Sequence, residues 1–257
     1  MRLSLSSLID DALAPAPERK RVERLTAFPF AHRGLHGRGR IENSRAAFEA
    51  AVRMGHGIEL DVQASADAHA FVFHDDALDR LTDARGPIAE RTSAELEHIA
   101  LRDCGETLAA LPEILQLIGG RVPLLIEVKA RDRHVVPLCL SVMQALEGYR
   151  GPVGVMSFNP EVGRWFSTHA PRVTRGLVVS ESGKGGLRGA LQRRLALWRA
   201  RPDFLAYDVR DLPSRFAARA RRRGIPVFTW TVRSAKQAKT ARANGDQLIY
   251  DLPSASS

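Results

Sequence analysis

The feature of the sequence that most constrains its fold is an alternation of short apolar runs with longer helical stretches, from about residue 28 to about residue 251. Runs rich in β-branched and aromatic residues predict strands, and apolar residues three or four positions apart predict helices. The predicted strands are 28–33, 57–63, 122–129, 153–158, 173–179, 204–209, 227–232 and 248–251. The predicted helices between them are 44–54, 112–118, 135–147, 161–169, 187–199, 214–223 and 234–244.

Eight strands that alternate with helices predict an α/β fold, namely a (β/α)₈ TIM barrel. The alternative is a doubly wound open sheet, whose dinucleotide-binding version requires a glycine-rich phosphate loop after its first strand. No such loop follows residues 28–33. The sequence therefore favours the barrel.

Two segments lie outside this alternation. Residues 1–27 predict a polar lead-in segment with one short helical piece, and residues 28–257 predict the barrel domain. Residues from about 64 to 111 predict a small insertion after the second strand, with a hairpin-like piece at 71–75. Thr92 followed by Glu95 predicts a capped helix start within this insertion. We expect the insertion to cover the mouth of the barrel.

The charge and the residue usage limit the classes of function. The formal net charge is +9, but the basic residues are mostly scattered arginines without a nucleic-acid motif or an aromatic platform. We therefore expect no specific nucleic-acid binding, and instead attraction to anionic substrates or weak contact with anionic membranes. No apolar run is long enough to span a membrane, and acids interrupt the N-terminus before a signal-peptide core, which predicts a cytoplasmic protein. Cys104 and Cys139 have neither the number nor the spacing of a disulfide framework or a zinc site.

Carboxylates lie where the predicted barrel would have its active site, at the carboxyl ends of the strands. Glu59 and Asp61 project from one face of the second strand, about 6 to 7 Å apart. The two carboxylates repel each other unless a cation or a proton lies between them. Mg²⁺ and Ca²⁺ prefer oxygen ligands of this kind. Glu127 and Lys129 share a face in the same way. This fits a structural Glu–Lys pair, or a third metal carboxylate beside a phosphate-binding lysine, which explains both residues at once.

Two histidines end strands near these acids. His32 and Arg33 close the first strand, where the planar fork of the arginine suits phosphate oxygens. His74 ends the strand-like piece of the insertion. The other six histidines, at 36, 56, 69, 98, 134 and 169, are expected to be solvated, with His36 as the exception to watch because it lies near His32.

These motifs together resemble the glycerophosphodiester phosphodiesterase family, over about residues 28–253. The matching segments are Ala31-His32-Arg33-Gly34, Glu42-Asn43-Ser44, Ile58-Glu59-Leu60-Asp61-Val62, Phe73-His74-Asp75, Leu78-x-Arg80, Leu111-Pro112, Ile126-Glu127-Val128-Lys129, Ser157-Phe158, Trp230-Thr231-Val232, and Gly245-Asp246 through Pro253. The sequence departs from the usual family pattern at Ile41, at Ser65 to Ala68, at Arg233 and at Tyr250. None of these departures removes an implied ligand or catalytic histidine, so they bear on the choice of substrate.

The resemblance implies metal-dependent hydrolysis of a small-molecule glycerophosphodiester to glycerol 3-phosphate and an alcohol, within lipid metabolism. The roles it implies are one divalent cation, Mg²⁺ or Ca²⁺, held by Glu59, Asp61 and Glu127; acid–base catalysis by His32 and His74; phosphate binding by Arg33 and Lys129; a substrate pocket lined by Trp230; and a supporting position, or a further ligand, at Glu42.

Several alternatives stay open from the sequence. The same site could serve a lysophospholipase D-like phospholipase, or a catalytically silent barrel that binds phosphodiesters. The residues do not decide which histidine is the acid, or whether water or the neighbouring glycerol hydroxyl is the nucleophile. The oligomeric state is not predicted.

The stretch 187–199 has two interpretations. Its apolar stripe is Leu187, Leu191, Leu195 and Trp198, and its arginines are Arg188, Arg193, Arg194 and Arg199. The favoured interpretation is a barrel helix that packs this stripe on the sheet. The alternative is a basic lip that meets anionic lipid headgroups.

Overall fold

The computed structural model of the protein describes residues 5–37, 39–130 and 132–251. Its strands are β1 (Phe30–His32), β2 (Gly57–Ala64), β3 (Ala70–Val72), β4 (Ala109–Ala110), β5 (Leu124–Val128), β6 (Val153–Ser157), β7 (Thr174–Val179), β8 (Phe204–Asp208), β9 (Val227–Val232) and β10 (Gln247–Tyr250). Its helices are α1 (Leu5–Leu13), α2 (Arg19–Thr26), α3 (Arg45–Arg53), α4 (Ser93–Leu96), α5 (Leu111–Ile118), α6 (Val136–Ala145), α7 (Pro160–His169), α8 (Gly186–Ala200), α9 (Arg215–Arg222) and α10 (Ala235–Asn244). Short 3₁₀ helices lie at Leu78–Arg80, Ile88–Glu90 and Val209–Asp211.

Eight of the strands form a closed parallel barrel, in the order β1-β10-β9-β8-β7-β6-β5-β2. Phe30 of β1 pairs with Ile249 of β10 on one side and with Gly57 of β2 on the other, which closes the ring. Helices alternate with these strands along the chain. The predicted TIM barrel is therefore confirmed, and each of its eight predicted strands is present.

The amino-terminal part of the barrel interior is filled by aromatic rings. Phe204 stacks on Phe228 with ring centroids 4.7 Å apart, and Phe228 stacks on Phe30 at 5.8 Å. All three side chains are fully buried. Glycines on the neighbouring, paired strands make room for them, since a Cβ at Gly57 would lie 2.7 Å from the Phe30 ring and one at Gly176 would lie 2.4 Å from the Phe204 ring.

The segment after β2 forms the predicted insertion. β3 pairs antiparallel with β2, and β4 pairs antiparallel with β3. A separate apolar cluster lies beneath the loops that follow, around Phe71, Phe73 and Leu78. The capped start at Thr92 is present, because its hydroxyl accepts from the backbone N–H of Glu95 while the Glu95 carboxylate accepts from the backbone N–H of Thr92.

The lead-in contains two helices, α1 and α2, where the sequence predicted one. Leu25 of α2 is buried in the same interior cluster as Phe30 and Phe204. Asp10 of α1 is 3% exposed and accepts from Trp198 of α8. α2 gives a weak helical pattern in the sequence, because it buries only two apolar residues, Val22 and Leu25, within a strongly basic stretch.

The packing of α8 contradicts the favoured interpretation of its leucine stripe. Leu187, Leu191 and Leu195 are 91%, 56% and 50% exposed. The helix instead turns Gly189, Leu197 and Ala200 inward. A Cβ at Gly189 would overlap the carbonyl of Lys184 in the loop just before α8, so only glycine fits in this first turn of the helix.

The arginines of α8 are mostly committed to ion pairs. Arg193 pairs with Glu181 at 2.9 Å, Arg194 pairs with the buried Asp10 at 2.8 Å, and Arg199 pairs with Glu161. Within the described residues, Arg188 makes no ion pair. No helix in the described part of the chain is both long enough and apolar enough to cross a bilayer.

Candidate active site

Three carboxylates meet at the carboxyl ends of β2 and β5. Glu59 and Asp61 point the same way from β2, and the register of the two strands sets Asp61 opposite Glu127. Each of the three offers an oxygen within 4.8 Å of the others. Their exposures are only 1%, 1% and 7%, so the cluster is almost completely removed from solvent.

Cationic and amide groups surround this cluster without satisfying all of it. Lys129 Nζ lies 2.8 Å from Asp61 Oδ1 and 2.7 Å from Glu127 Oε1. Arg33 Nε lies 3.3 Å from Asp61 Oδ2, and the Arg33 backbone N–H donates to Glu59 Oε2 at 3.0 Å. Asn43 donates to Asp61 Oδ2 at 3.0 Å. Glu59 Oε1 is buried and has no hydrogen-bond partner among the described residues.

The three acids differ in how strongly they hold a proton. Burial raises the pKa of Glu59 well above its usual range, and the neighbouring Asp61 and Glu127 raise it further. Burial also raises the pKa of Glu127, although Lys129 opposes the shift. For Asp61, burial is outweighed by Lys129 and Arg33, so its pKa is lowered. An extra cation would stabilise ionised Glu59, and the all-oxygen donor set with a buried, unpartnered oxygen fits a hard divalent ion.

The loop after β1 has a strained backbone conformation, which orients the backbone N–H and the side chain of Arg33. Arg33 has φ 55°, an unusual conformation for a residue with a side chain. The adjacent Gly34 has φ +78°, and a Cβ there would lie 2.9 Å from Ala47 of α3, so only glycine fits without displacement. This path turns the Arg33 backbone N–H toward Glu59 while its guanidinium reaches Asp61.

Each of the two predicted catalytic histidines is paired with a carboxylate. His32 Nδ1 lies 2.8 Å from Asp251 Oδ1, and His74 Nδ1 lies 2.6 Å from Asp75 Oδ1. Burial works against ionisation of Asp251, but the hydrogen bonds from His32 and His36 lower its pKa well below the usual range. The hydrogen bond from Arg80 lowers the pKa of Asp75 to about 2. Both acids are therefore ionised acceptors at neutral pH.

One cavity joins the histidines to the acids. Its volume is about 150 Å³, and His32, His74, Glu59, Glu127 and Lys129 are among its lining residues. Burial lowers the pKa of His74, which favours its neutral form. A neighbouring cavity of about 520 Å³ shares His74, Glu127 and Lys129 and extends over Ser157 and Asn159. The first cavity therefore opens toward a larger space at the barrel mouth.

Trp230 and Phe158 form an apolar wall of the smaller cavity, and Phe158 also lines the larger one. The Trp230 indole N–H donates to the Ala206 carbonyl at 2.9 Å, which fixes the ring in place. Phe158 meets it edge to face, with ring centroids 5.5 Å apart, and is 46% exposed. Trp230 therefore lines the smaller cavity beside Phe158, His32 and His74.

Glu42 lies behind Arg33, outside the group of three clustered carboxylates. Its Oε1 accepts from Arg33 at 2.6 Å and from Arg80 at 2.6 Å. Burial would raise its pKa, but Arg80 and Arg33 lower it overall. Because Arg80 also binds Asp75, Glu42 connects the supports of Arg33 and His74.

A model of the glycerophosphoryl diester phosphodiesterase family matches residues 32–255 of the chain. The chain belongs to this family. The resemblance in its motifs is thereby confirmed, and the protein is a phosphoric diester hydrolase of the glycerophosphodiester phosphodiesterase type.

Relatives share most of the length of the chain. A glycerophosphodiester phosphodiesterase of Caldanaerobacter subterraneus is 28% identical over 235 residues, which are 87% of this chain and 93% of the relative. The structure of an Oleispira antarctica phosphodiesterase in complex with the product sn-glycerol-3-phosphate has a TM-score of 0.77 and 24% identity, covering 89% of this chain and 94% of that one. The Thermotoga maritima glycerophosphodiester phosphodiesterase has a TM-score of 0.69 and 23% identity, covering 86% and 93%. These structural likenesses support the barrel fold.

Sequence reasoning missed several residues of the phosphodiesterase site. Asp251 was recognised only as a strand end, although it holds His32, and Arg233 was noted only as a departure, although it lies 2.6 Å from Asp251 Oδ2. The signal for Asp251 was its place after the last strand, which a closed barrel sets beside the first. Arg80 belongs to a matching motif, but nothing in its spacing indicated that it joins Glu42 to Asp75.

Proposed function

We propose that this phosphodiesterase hydrolyses glycerophosphodiesters to glycerol 3-phosphate and an alcohol, with one divalent cation and a pair of acid–base histidines. The observation that carries the proposal is the convergence of His32 and His74 on one cavity that is also lined by the buried Glu59 and Glu127. The product bound in the Oleispira antarctica enzyme supports the choice of product.

Glu59, Asp61 and Glu127 are the residues that would hold the cation. The unpartnered, buried Glu59 Oε1 and the raised pKa of Glu59 support this assignment. A divalent ion bound there polarises phosphoryl oxygens and stabilises the negative charge that develops on them. Mg²⁺ and Ca²⁺ both suit three carboxylates.

Arg33 and Lys129 would bind the phosphate from the protein side. Both side chains are mostly buried, both line the smaller cavity, and both contact Asp61. Burial alone would lower the pKa of Lys129, but Asp61 and Glu127 raise it overall, so the lysine stays charged. Two fixed cations at the phosphate would stabilise the charge that grows on the phosphoryl oxygens, and would do so more in the transition state than in the singly charged substrate.

His32 and His74 would move the protons. Each donates its Nδ1–H to an ionised aspartate, which leaves Nε2 free to take up or release a proton. One histidine would accept the proton of the nucleophile while the other protonates the departing alcohol oxygen. Water and the glycerol hydroxyl next to the phosphate both qualify as the nucleophile.

The direct test is an assay on three substrates. We would measure the release of alcohol from glycerophosphocholine, glycerophosphoethanolamine and a lysophospholipid, in EDTA and with added Mg²⁺ or Ca²⁺. Metal-dependent turnover of the two small diesters is the expected result. Preferential turnover of the lysophospholipid would favour the lysophospholipase D-like alternative, and no turnover under any cation would favour a binding barrel.

A weak contact with anionic membranes is also proposed, and α8 supports it. Leu187, Leu191 and Leu195 form an exposed stripe, and Arg188 and Lys184 lie near its start. Because α8 follows β7, this start is at the carboxyl end of the barrel, the end that carries the active site. The cytoplasmic location and the place in lipid metabolism stay predictions.

A further inference from the structure

Two histidines converge on a single oxygen of Asp251 at the rim of the barrel. His32 Nδ1 lies 2.8 Å from Asp251 Oδ1, and His36 Nε2 lies 3.3 Å from the same oxygen. The three donor atoms all lie within 4.8 Å of one another. From this geometry we propose that His32, His36 and Asp251 form a second metal site, which binds Zn²⁺ or a similar transition-metal ion and inhibits the enzyme.

The chemistry of the donors separates this site from the carboxylate cluster. Two imidazole nitrogens with one carboxylate oxygen suit Zn²⁺, whereas three carboxylates suit Mg²⁺ or Ca²⁺. Tetrahedral Zn²⁺ with bonds of about 2.0 to 2.1 Å holds its ligands about 3.3 Å apart. The separations of 2.8 Å and 3.3 Å from Asp251 Oδ1 are close to that spacing, so small side-chain movements would complete it.

The fold holds the three donors together before any ion binds. β1 pairs with β10 in the register Ala31 to Tyr250, which sets His32 beside Asp251. The backbone N–H of Leu35 donates to the Ala47 carbonyl of α3 at 3.0 Å, which anchors the chain just before His36. The His36 side chain is 25% exposed, so an ion can reach the site from solvent.

Zinc at this site would disable His32 through its tautomer. The hydrogen bond to Asp251 keeps a proton on Nδ1 and leaves the Nε2 lone pair for catalysis. A metal ion on Nδ1 would leave the ring proton on Nε2 and would take the Asp251 oxygen, so the Nε2 lone pair would no longer be available for proton transfer. The inhibition therefore rests on the proposed function of His32, whereas the metal binding does not.

Arg233 provides a second prediction, because removing its charge should change zinc affinity in the direction opposite to removing His36. Its Nε lies 2.6 Å from Asp251 Oδ2, and the side chain is 59% exposed. Its positive charge repels a cation at the other oxygen of the same carboxylate. Removing that charge should therefore tighten zinc binding, while removing the His36 donor should weaken it.

The test compares the wild type with His36→Ala, Arg233→Gln and the control His134→Ala. His134 is an exposed histidine 3.5 Å from Asp132, which makes it a histidine–aspartate pair outside the proposed site. We would titrate each protein with Zn²⁺ by calorimetry under saturating Ca²⁺, which blocks the carboxylate cluster, and follow Co²⁺ binding by its visible absorbance. We expect zinc affinity at least about tenfold weaker in His36→Ala, stronger in Arg233→Gln and unchanged in the control.

Zinc should also inhibit diester cleavage by the wild type at lower concentration than cleavage by His36→Ala. Equal zinc affinity in the wild type and His36→Ala would disprove the proposed zinc site. Weaker zinc binding by Arg233→Gln than by the wild type would also disprove it. If His36→Ala fails to fold, the Arg233→Gln titration still decides the question. A protein that binds zinc in the expected order but cleaves no diester would disprove the proposed function and leave the metal site standing.

Discussion

The two ends of the barrel strands carry opposite chemistry. At the amino end the interior is closed by Phe30, Phe204 and Phe228, which are fully buried and stacked. At the carboxyl end the same sheet buries Glu59, Asp61 and Glu127 at 7% exposure or less. One end removes apolar surface from water, and the other removes charge from water.

The comparison shows that the apolar amino end stabilises the fold, whereas the burial of charge at the carboxyl end depends on the stability of the rest of the fold. Burying an aromatic ring is favourable, whereas burying a carboxylate costs free energy unless cations and donors compensate. The raised pKa of Glu59 shows that the compensation at the carboxyl end is incomplete. Substitutions at the two ends should therefore have opposite effects on stability and activity.

The largest effect on turnover is expected for Glu59→Gln. This change removes a proposed cation ligand, so activity and metal affinity should fall by more than about a hundredfold. Stability without metal should hold or rise. Because folding raises the pKa of Glu59, the wild type loses stability as the pH rises above about 4.3, the value of the unfolded glutamate, toward the higher folded pKa, and the glutamine variant escapes this loss.

The measurements are turnover with metal, and thermal unfolding in EDTA at several pH values. Asp61→Ala and Glu127→Ala should likewise lose activity and metal affinity while staying folded. If the metal-free Glu59→Gln protein unfolds at neutral pH, the cluster is structural and the assignment of ligands is wrong.

The next largest effect on turnover is expected for the two histidines, and it distinguishes a role in proton transfer from a role in cation binding. His32→Ala and His74→Ala should each lower kcat by about a hundredfold or more, the usual scale for acid–base groups. Metal affinity, measured by calorimetry, should stay near that of the wild type in both variants. Wild-type turnover of a small diester by either variant would exclude that histidine from the pair.

Phe228→Ala, at the amino end of the barrel, should have the opposite effects: it should lower stability and leave turnover nearly unchanged. Deleting a fully buried phenylalanine costs about 3 to 5 kcal/mol of stability through lost burial and a cavity. The carboxyl-end site should keep near-normal kcat at temperatures where the variant is folded. Urea unfolding and turnover at low temperature measure the two effects. A loss of turnover comparable to that of the histidine variants would show that the two ends are coupled.

The smallest effect on turnover of a water-soluble diester is expected on α8. The double variant Leu187→Ser/Leu191→Ser should leave that turnover unchanged but reduce sedimentation with anionic vesicles, and Arg188→Glu should act in the same direction. Arg193 and Arg194 are unsuitable test positions because they hold Glu181 and the buried Asp10. Equal recovery of wild type and variants, or equal recovery on neutral vesicles, would contradict membrane contact.

Local patterns predicted much of the barrel and of its acids. Alternating apolar residues located all eight strands, and the i, i+2 spacing of Glu59 with Asp61 and of Glu127 with Lys129 set each pair on one face. Such spacing fixes side-chain direction within a strand without any knowledge of the rest of the fold. The motif matches added His74, which follows β3 in the insertion.

Contacts between distant parts of the chain could not be predicted in this way. Asp251 reaches His32 only because β10 closes the barrel against β1. The leucine stripe of α8 has the same helical spacing whether it faces the sheet or solvent. The packing that buries Gly189, Leu197 and Ala200 instead depends on contacts with other elements, which helical spacing does not encode. The partners of Arg80 and Arg233 likewise depend on loop positions that carry no periodic signal.

The pairing of β1 with β10 also determines when, during synthesis of the chain, His32 can meet Asp251. Asp251 lies 219 residues after His32. Ribosomes add about 5 to 20 residues per second, so roughly 10 to 40 seconds separate the emergence of the histidine from that of its aspartate. During that interval a nascent chain can gather its carboxylates on β2 and β5, yet His32 still lacks the acceptor that fixes its tautomer. With the catalytic role proposed for His32, catalytic competence is among the last properties that the growing chain acquires.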